Sequence, residues 1–524
     1  MIDEERDQAE QAAQGFAEQL GIPYYDTRPP LDITPMVGKL TVAGMQAYGV
    51  VPIGLIGKQF TLAISEDTDR AQLESLRQRL AGYQVVYVFV SQYGWNRLLN
   101  RYTIAKDQLA IDAGDFSAFT DRILNIEPKF MFEPVAQLAY QIGASDIHVE
   151  PAETEARIRF RIDGTLHPIT VIPRDRYDLF ASDLQMRAGV KWGGDMPQGG
   201  RVSVTVITQD GDELQLNMRL ETIPSLHGED VVIRLFNLSM QYLNIDNLHL
   251  TDKQKATLIE ATSHPRGLVM SVGPTGSGKT STLYSVMNHL TSPEVKIVTL
   301  EDPVEYELSD ITQVPVRSDN QQLFMDKLRA VMREDPNVIM IGEIRDADTA
   351  RTALQAALTG HLVLTTFHAN NASAAISRLM DMIGQNPLLA SSIKLIMAQR
   401  LVRQLCPYCK ADYQATREEI AHIKDIVHSL PEGTYPALDN LTLAKPVGCD
   451  KCHHYGFLGR ISIMEQMVIT PVMEKMIATS SLATTADVIE TAAIKDGMVT
   501  ILQDGMLRVL EKSTTLEEVD IQLG

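Results

Sequence analysis

The chain has 524 residues, 44% of them apolar and 22% charged, with a net charge of −20. A length of this order accommodates about three or four domains. Its ordinary composition excludes large-scale disorder, and its acidity argues against a duplex-DNA surface, which needs clustered Lys and Arg.

The opening MIDEERDQAEQAAQGFAEQL is acidic and lacks a long apolar core, so it reads as neither a signal peptide nor a transit peptide. It reads as an amphipathic helix with Phe16, Ala17 and Leu20 on one side. The most apolar early stretch, YGVVPIGLIGKQFTLAI, is broken by Pro52, its glycines and Lys58 into strands and turns rather than a spanning helix. These features lead us to expect a cytoplasmic protein, peripheral at the inner membrane through partners. A helix near 71–80 and the strand VVYVFVS complete an N-terminal α+β module over 1–110. DAGDFSAF, polar with Gly and Asp, marks a linker over 111–127.

From 128 the pattern changes. FEPVAQLAYQIG is helical, whereas SDIHVEP, ARIRFRIDG and GGRVSVTVI alternate with period two, followed by LQLNMRL and VVIRLF. That is an α+β domain over 128–238 whose strands are rich in arginine. Thr251 then caps the helix TDKQKATLIEATSH. GLVMSV, KIVTLE, NVIMIG and HLVLTTF follow, each with a helix after it, which predicts a parallel α/β core over 245–403. A cysteine-bearing subdomain spans 404–465, and 466–524 read as short helices.

The α/β core carries a phosphate loop, Gly273-Pro274-Thr275-Gly276-Ser277-Gly278-Lys279-Thr280-Ser281, placed after an apolar strand and opening a helix. Its glycines allow backbone N–H groups to face phosphate oxygens; Lys279 reaches the β and γ phosphates, and the Thr280 hydroxyl ligates magnesium. The apolar strand Val338–Ile341 ends in Gly342-Glu343, where nucleotide hydrolases commonly have an aspartate. Ligands bind outside the carboxyl ends of such strands, so Glu343 can polarise water directly or through the magnesium shell. The alternative is a helix-capping acid ahead of Arg345 and Asp346. A second acidic strand end, VTLEDPVEY, supplies Glu301, Asp302 and Glu305.

All four cysteines fall into two C-x-x-C pairs, Cys406/Cys409 and Cys449/Cys452. Two such pairs fill a tetrahedron with no open position, which points to structural zinc. Redox-active thiols and an iron–sulfur cluster are the alternatives. His453 and His454 adjoin the second pair but are not required as ligands.

In combination these motifs resemble those of the hexameric ATPases of bacterial type II secretion and type IV pilus systems, over most of the chain from about Ile22 onward. GPTGSGKT resembles that family's Walker A, VTLEDPVEY its aspartate box, and LRAVMREDPNVIMIGEIRDADTA its atypical Walker B. LTGHLVLTTFHANNASAAISRL is similar to its histidine box, with His361 and His368, and ASDIHVEP and FRIDG match the start of its pre-motor domain. The resemblance implies a RecA-like P-loop core preceded by a PAS-like α+β domain, with a zinc-bound tetracysteine insert. It also implies a homohexamer using ATP, Mg2+ and Zn2+, with Glu343 as catalytic glutamate, Glu301 helping to position water, and His368 in the site. Arg219 and Arg234 would close on the phosphates, and Arg329, Arg333, Arg345 and Arg378 would lie near the site or a subunit interface. For a lone strand arginine the other reading is a solvated salt bridge. Two departures stand out: Gly199 replaces an aspartate in MPQGGRV, and LTTFHANNA differs slightly from the usual sequence.

The expected function is ATP hydrolysis that drives pilin extrusion from the inner membrane, with type II secretion as the alternative. The N-terminal module would dock on an inner-membrane platform protein or a cytoplasmic adaptor. A nucleic-acid motor is the more distant rival; the acidity and the 6% aromatic content count against it. A non-hydrolysing zinc-stapled adaptor conflicts with the intact Lys279, Thr280 and Glu343.

Overall fold

The computed structural model describes residues 2–523 except 30, 113–115, 192–194, 236–242, 317–320, 385, 387, 432, 439 and 479–484. The chain divides into two compact units, Met1–Asn237 and Leu238–Gly524.

In the first unit, β1 (Val50–Ile56) and β2 (Gln59–Ile64) form an antiparallel hairpin, and β3 (Gln84–Phe89) joins β2 in parallel after the crossover helix Arg70–Arg79. The helix Ile2–Leu20 is pinned to this sheet by a buried carboxylate: Glu10 accepts the hydroxyls of Thr27 (2.7 Å), Ser91 (2.9 Å) and Tyr24. The stretch read as a linker, 111–127, is largely helical in its described part. The helix Gln92–Asp112 runs into it and Ser117–Asn125 forms another, while 113–115 lie outside the described residues.

The rest of this unit is a six-stranded antiparallel sheet of β4 (Asp146–Pro151), β5 (Glu155–Ile162), β6 (Thr165–Pro173), β7 (Gln198–Ile207), β8 (Glu213–Ser225) and β9 (Gly228–Leu235), in the order β6-β5-β4-β9-β8-β7. Strand alternation buries Ile147, Phe160, Val204, Met218 and Ile233. The helices Phe132–Gln141 and Arg174–Ala188 pack against the sheet, the second burying Tyr177, Phe180 and Leu184. The helix Gln92–Asp112 clasps the β7–β8 turn. Tyr93 donates to Asp212 (2.6 Å), Arg97 pairs with Asp212 (3.1 Å), and Asn100 donates to the Gly211 carbonyl (3.1 Å).

The second unit holds a seven-stranded sheet. Its strands are β10 (Gly267–Val272), β11 (Ile297–Glu301), β12 (Thr312–Pro315), β13 (Val338–Ile341), β14 (Leu362–Phe367) and β15 (Ile393–Leu405), closed by a late strand. A small ribbon of β16 (Ala411–Gln414) and β17 (Thr442–Lys445) precedes that late strand, β18 (Phe457–Val468). The order is β12-β11-β13-β14-β10-β15-β18, parallel throughout except that β18 runs antiparallel to β15. Every residue of β10, β11, β13 and β14 is buried, as a parallel sheet covered on both faces requires.

The strands β10 to β15 are parallel as expected, and the sheet as a whole is mixed because β18, from beyond residue 403, joins it antiparallel to β15. The 404–465 boundary also cuts through structure, because β18 belongs to the core sheet and pairs with β15 from Leu395↔Val468 to Leu405↔Phe457. The cysteine subdomain is an excursion between two neighbouring strands. Thr251 caps the helix Asp252–Ser263 as expected, in a reciprocal capping box with Gln254. Among the described residues no helix is long and apolar enough to cross a membrane.

Candidate functional site

β10 is where the chain order of the sheet reverses, with β14 on one side and β15 on the other. The crevice beyond such a strand end is the expected place for a ligand, and the phosphate loop lies there. Gly273, Gly276 and Gly278 have φ of +152°, +80° and +87°, and a Cβ on Gly273 would lie 2.6 Å from the Ser277 hydroxyl and the Gln399 carbonyl. Only glycine allows this tight cradle.

The helix Lys279–Leu290 starts directly after Gly278, so its N-terminal N–H groups face the crevice. Lys279 is only 8% exposed, and its Nζ donates to the carbonyls of Gly273 (2.9 Å) and Pro274 (2.7 Å). Burial depresses its proton affinity, Glu343 opposes that, and Arg400 adds to it, so Glu343 and Arg400 both act electrostatically on the lysine. The donor set fits a nucleotide phosphate. The Thr280 hydroxyl and the Glu343 carboxylate are hard oxygen donors suited to a magnesium ion shared with that phosphate.

β13 delivers Glu343. The Gly342 N–H donates to the Leu300 carbonyl (2.8 Å), and the Gly342 carbonyl accepts the Thr366 hydroxyl (2.6 Å), so neither peptide group is free to swing. A Cβ on Gly342 would lie 3.1 Å from the Leu300 carbonyl and 3.5 Å from the Glu301 Cα. The strand end lies so close to β11 that a side chain would require the neighbouring backbone to give by a few tenths of an ångström, which favours the glycine found there. Glu343 is held on both oxygens, by His368 Nε2 at 2.6 Å and by Arg345 Nε. It is not the side-chain cap of the next helix; Asp346 takes that role, accepting from Asp348 and Thr349.

Glu301 does not lie as expected. It is 3% exposed, and its carboxylate is occupied by the Tyr284 and Thr299 hydroxyls and by Gln313 Nε2 at 3.1 Å. Strand parity puts Thr299 and Glu301 on the same face, toward the helix Lys279–Leu290, so the group braces that helix against β11 instead of reaching water. Its charge in turn raises the Tyr284 phenol, after burial has done most of that.

His368 follows β14 and touches Glu343, while His361 precedes the same strand and bonds Ala356 at 3.1 Å. A six-residue strand is about 20 Å long, so the two histidines stand at opposite ends of the sheet. Arg378 donates to the His368 carbonyl (2.7 Å), and Arg345 meets Glu343, whereas exposed Arg329 pairs only weakly with Asp326 (3.4 Å). Arg333 lies just past the helix Gln321–Val331.

In the first unit, Arg201, Arg219 and Arg234 face one another across β7, β8 and β9. Arg219 pairs with Glu221 (3.0 Å) and Arg234 with Asp146 (2.9 Å), both as exposed arginines. The Arg219–Glu221 pair is exposed on both sides and is worth about 0–1 kcal/mol, whereas the Asp146 carboxylate is buried and also meets Arg161 at 3.6 Å, so Arg234–Asp146 is not a surface pair of that kind. At Gly199 a Cβ would meet nothing closer than 3.7 Å, so sterics do not demand glycine there.

The four cysteine sulfurs all lie within 4.8 Å of one another, with Cys406–Cys449 at 3.9 Å, Cys409–Cys452 at 3.7 Å and Cys449–Cys452 at 3.8 Å. A tetrahedron with ~2.3 Å metal–sulfur bonds has edges of about 3.8 Å. Backbone N–H groups of Gly448 and Gly456 point at Cys409 and Cys452 (3.3 Å each), as they would toward thiolates. His453 and His454 are not in the cluster.

Sequence reasoning missed Gln399 and Arg400 on β15. Both are buried; Gln399 adjoins the phosphate loop, and Arg400 bonds the Gln399 and Asn370 carbonyls. Their only sequence signal is a polar pair inside the apolar run KLIMAQRLV.

Comparison with known proteins gives concordant results. The type II/IV secretion system protein family matches residues 125–521, and the MshEN domain family matches residues 20–109. The chain is 33% identical to the type IV pilus assembly ATPase PilB of Myxococcus xanthus over 96% of this chain and 89% of that one. It is 36% identical to the type II secretion system protein E of Pseudomonas aeruginosa over 88% of this chain and 92% of that one. Among solved structures, the Legionella pneumophila ATPase DotB aligns with a TM-score of 0.55 at 19% identity, over 76% of this chain and 95% of that one, a likeness of fold.

Proposed function

The chain belongs to the family of type II/IV secretion system proteins, and we propose that it is an ATP-hydrolysing motor that powers type IV pilus assembly. The observation that carries the chemistry is a glycine cradle with Lys279 under the electrostatic influence of Glu343, itself held by His368.

The backbone N–H groups of the loop and of the following helix receive the β and γ phosphates of ATP, and Lys279 adds a cation. Thr280 and Glu343 are the residues that would hold magnesium, which would neutralise charge on the phosphates. Glu343 orients the attacking water and accepts its proton as the water oxygen bonds to the γ phosphorus and the bond to ADP breaks. His368 and Arg345 fix the two oxygens of Glu343 and so aim it. Arg219 and Arg234 close from the preceding domain of the same chain on the γ phosphate, and the loss of that phosphate releases the clamp. Repeated closing and release around a homohexamer drives pilin subunits out of the inner membrane through a platform protein or adaptor that engages the N-terminal module. The four cysteines hold one zinc as a structural staple.

The likeness to type II secretion system protein E supports a second reading, type II protein secretion powered by the same motor. Inactivating the gene separates them. Loss of surface pili with intact protein secretion supports pilus assembly; the reverse supports secretion.

A further inference from the structure

We infer that Gln399 and Arg400 are positioning residues that hold the phosphate loop in register with the segment carrying His368, and through it with Glu343. The inference rests on the reading of Glu343 as the group that handles water. β15 runs parallel to β10, with Val272 opposite Ala398, so Gln399 stands beside the point where the loop begins.

Gln399 contacts the loop at three places. Its carbonyl would be 2.6 Å from a Cβ on Gly273 and its Nε2 2.7 Å from a Cβ on Gly278, while its Oε1 accepts the buried Thr282 hydroxyl at 2.8 Å. Both ends of the loop and the first turn of its helix therefore lie against one residue, the loop's start against its backbone carbonyl and the rest against its side chain. Arg400 continues the chain of contacts. One of its terminal nitrogens donates to the Gln399 carbonyl (3.1 Å), the other to the Asn370 carbonyl (3.0 Å). Asn370 lies two residues beyond His368, whose imidazole meets Glu343 at 2.6 Å.

Behind Asn370, the buried Glu465 accepts the N–H groups of Ala372 (2.8 Å) and Ile501 (3.2 Å) and so caps two helices at once. Burial disfavours the Glu465 charge, which nonetheless offsets part of the cost of burying Arg400; the two form no ion pair among the described residues. A buried guanidinium bonded only to carbonyls is an expensive choice for stability alone, since a buried charge needs compensation. Its positive charge acts on Lys279, beside which a nucleotide phosphate would supply negative charge.

Arg400→Lys keeps the charge but cannot reach both carbonyls. Its turnover should fall on the order of tenfold to a hundredfold, as misplacement of a catalytic group does. KM for ATP should change by less than about threefold, since ground-state binding survives. Gln399→Glu keeps the acceptor for Thr282 but puts a carboxylate under the loop, and should weaken binding of a fluorescent ADP analogue about tenfold or more. Activities are expressed per folded chain, counted by unfolding calorimetry. Wild-type turnover in folded Arg400→Lys, or unchanged analogue affinity in Gln399→Glu, overturns the inference. So does an activity loss that disappears once unfolded chains are discounted. Glu343→Gln is measured alongside. If that variant hydrolyses ATP normally, the reading of Glu343 fails; if it is slow while Arg400→Lys is normal, only the positioning role fails.

Discussion

Gly342→Ala is a small substitution with a large expected effect. Its new methyl would stand 3.1 Å from the Leu300 carbonyl, which already accepts the Gly342 N–H at 2.8 Å, and the Gly342 carbonyl is held by Thr366 at 2.6 Å. An ordinary contact of this type begins about 0.3 Å further out, and in a close-packed interior the strand ends must part to provide it. Overpacking of this kind costs about 1–3 kcal/mol, or roughly 2–10 °C in unfolding temperature for a domain of this size. Because Glu343 is the next residue, the same displacement moves it relative to Lys279 and His368, and turnover should drop by about tenfold. Gly342→Asp, which restores the residue usual in other nucleotide hydrolases, should be worse, since it adds a carboxylate beside Glu301 and Glu343. Thermal unfolding and steady-state phosphate release on the three proteins decide it. An alanine variant with wild-type stability and turnover would refute the steric account of the glycine.

Metal analysis should find about one zinc per chain, and chelation or Cys406→Ser should lower the unfolding temperature while nucleotide affinity changes little; iron, or no metal in freshly reduced protein, contradicts this. Asp504 is buried, and burial pushes its carboxyl up to about 6 from 3.8, against the favourable pull of Arg508 and its bonds from Met464 and Gln254, with Glu511 opposing ionisation. Below pH ~4 the group is protonated in folded and unfolded chains alike; between ~4 and ~6 only the unfolded chain ionises; above ~6 the folded chain carries the full penalty, about 3 kcal/mol. Stability contributed here should thus fall as pH rises from 4 to 6, and Asp504→Asn should flatten that slope in denaturant titrations; an unchanged slope excludes the assignment. A mixed oligomer of Arg219→Ala and Lys279→Ala chains should remain inactive if the clamp closes within one chain, whereas recovered phosphate release would place the arginine on a neighbour.

What could be read from the sequence was local chemistry with a fixed spacing. The glycines of the phosphate loop, the Thr251 cap and the two cysteine pairs each need particular residues at particular offsets, and the structure has them in those arrangements. What could not be read depended on partners distant in the chain. The fate of Glu301 turns on Tyr284 and Gln313, which occupy its carboxylate from a helix and a neighbouring strand. The antiparallel pairing of β15 with β18 leaves no turn signal, because residues 406–456 intervene. The helix Arg174–Ala188 was not anticipated; it buries Asp183 and Gln185 among its apolar residues, which blurs its periodicity. Gln399 and Arg400 belong to no motif, and their partners, Thr282 and Asn370, are brought to them only by the fold.

The most direct test of the account is the Glu343→Gln enzyme assayed for binding and hydrolysis separately. Glutamine preserves size and can still meet His368, but it cannot accept the proton of the attacking water. ATP affinity should stay near that of the wild type, and the single-turnover hydrolysis rate should fall on the order of 10²-fold or more. A variant that binds ATP and hydrolyses it at close to the wild-type rate would show that Glu343 is not the base and that the site works by another group.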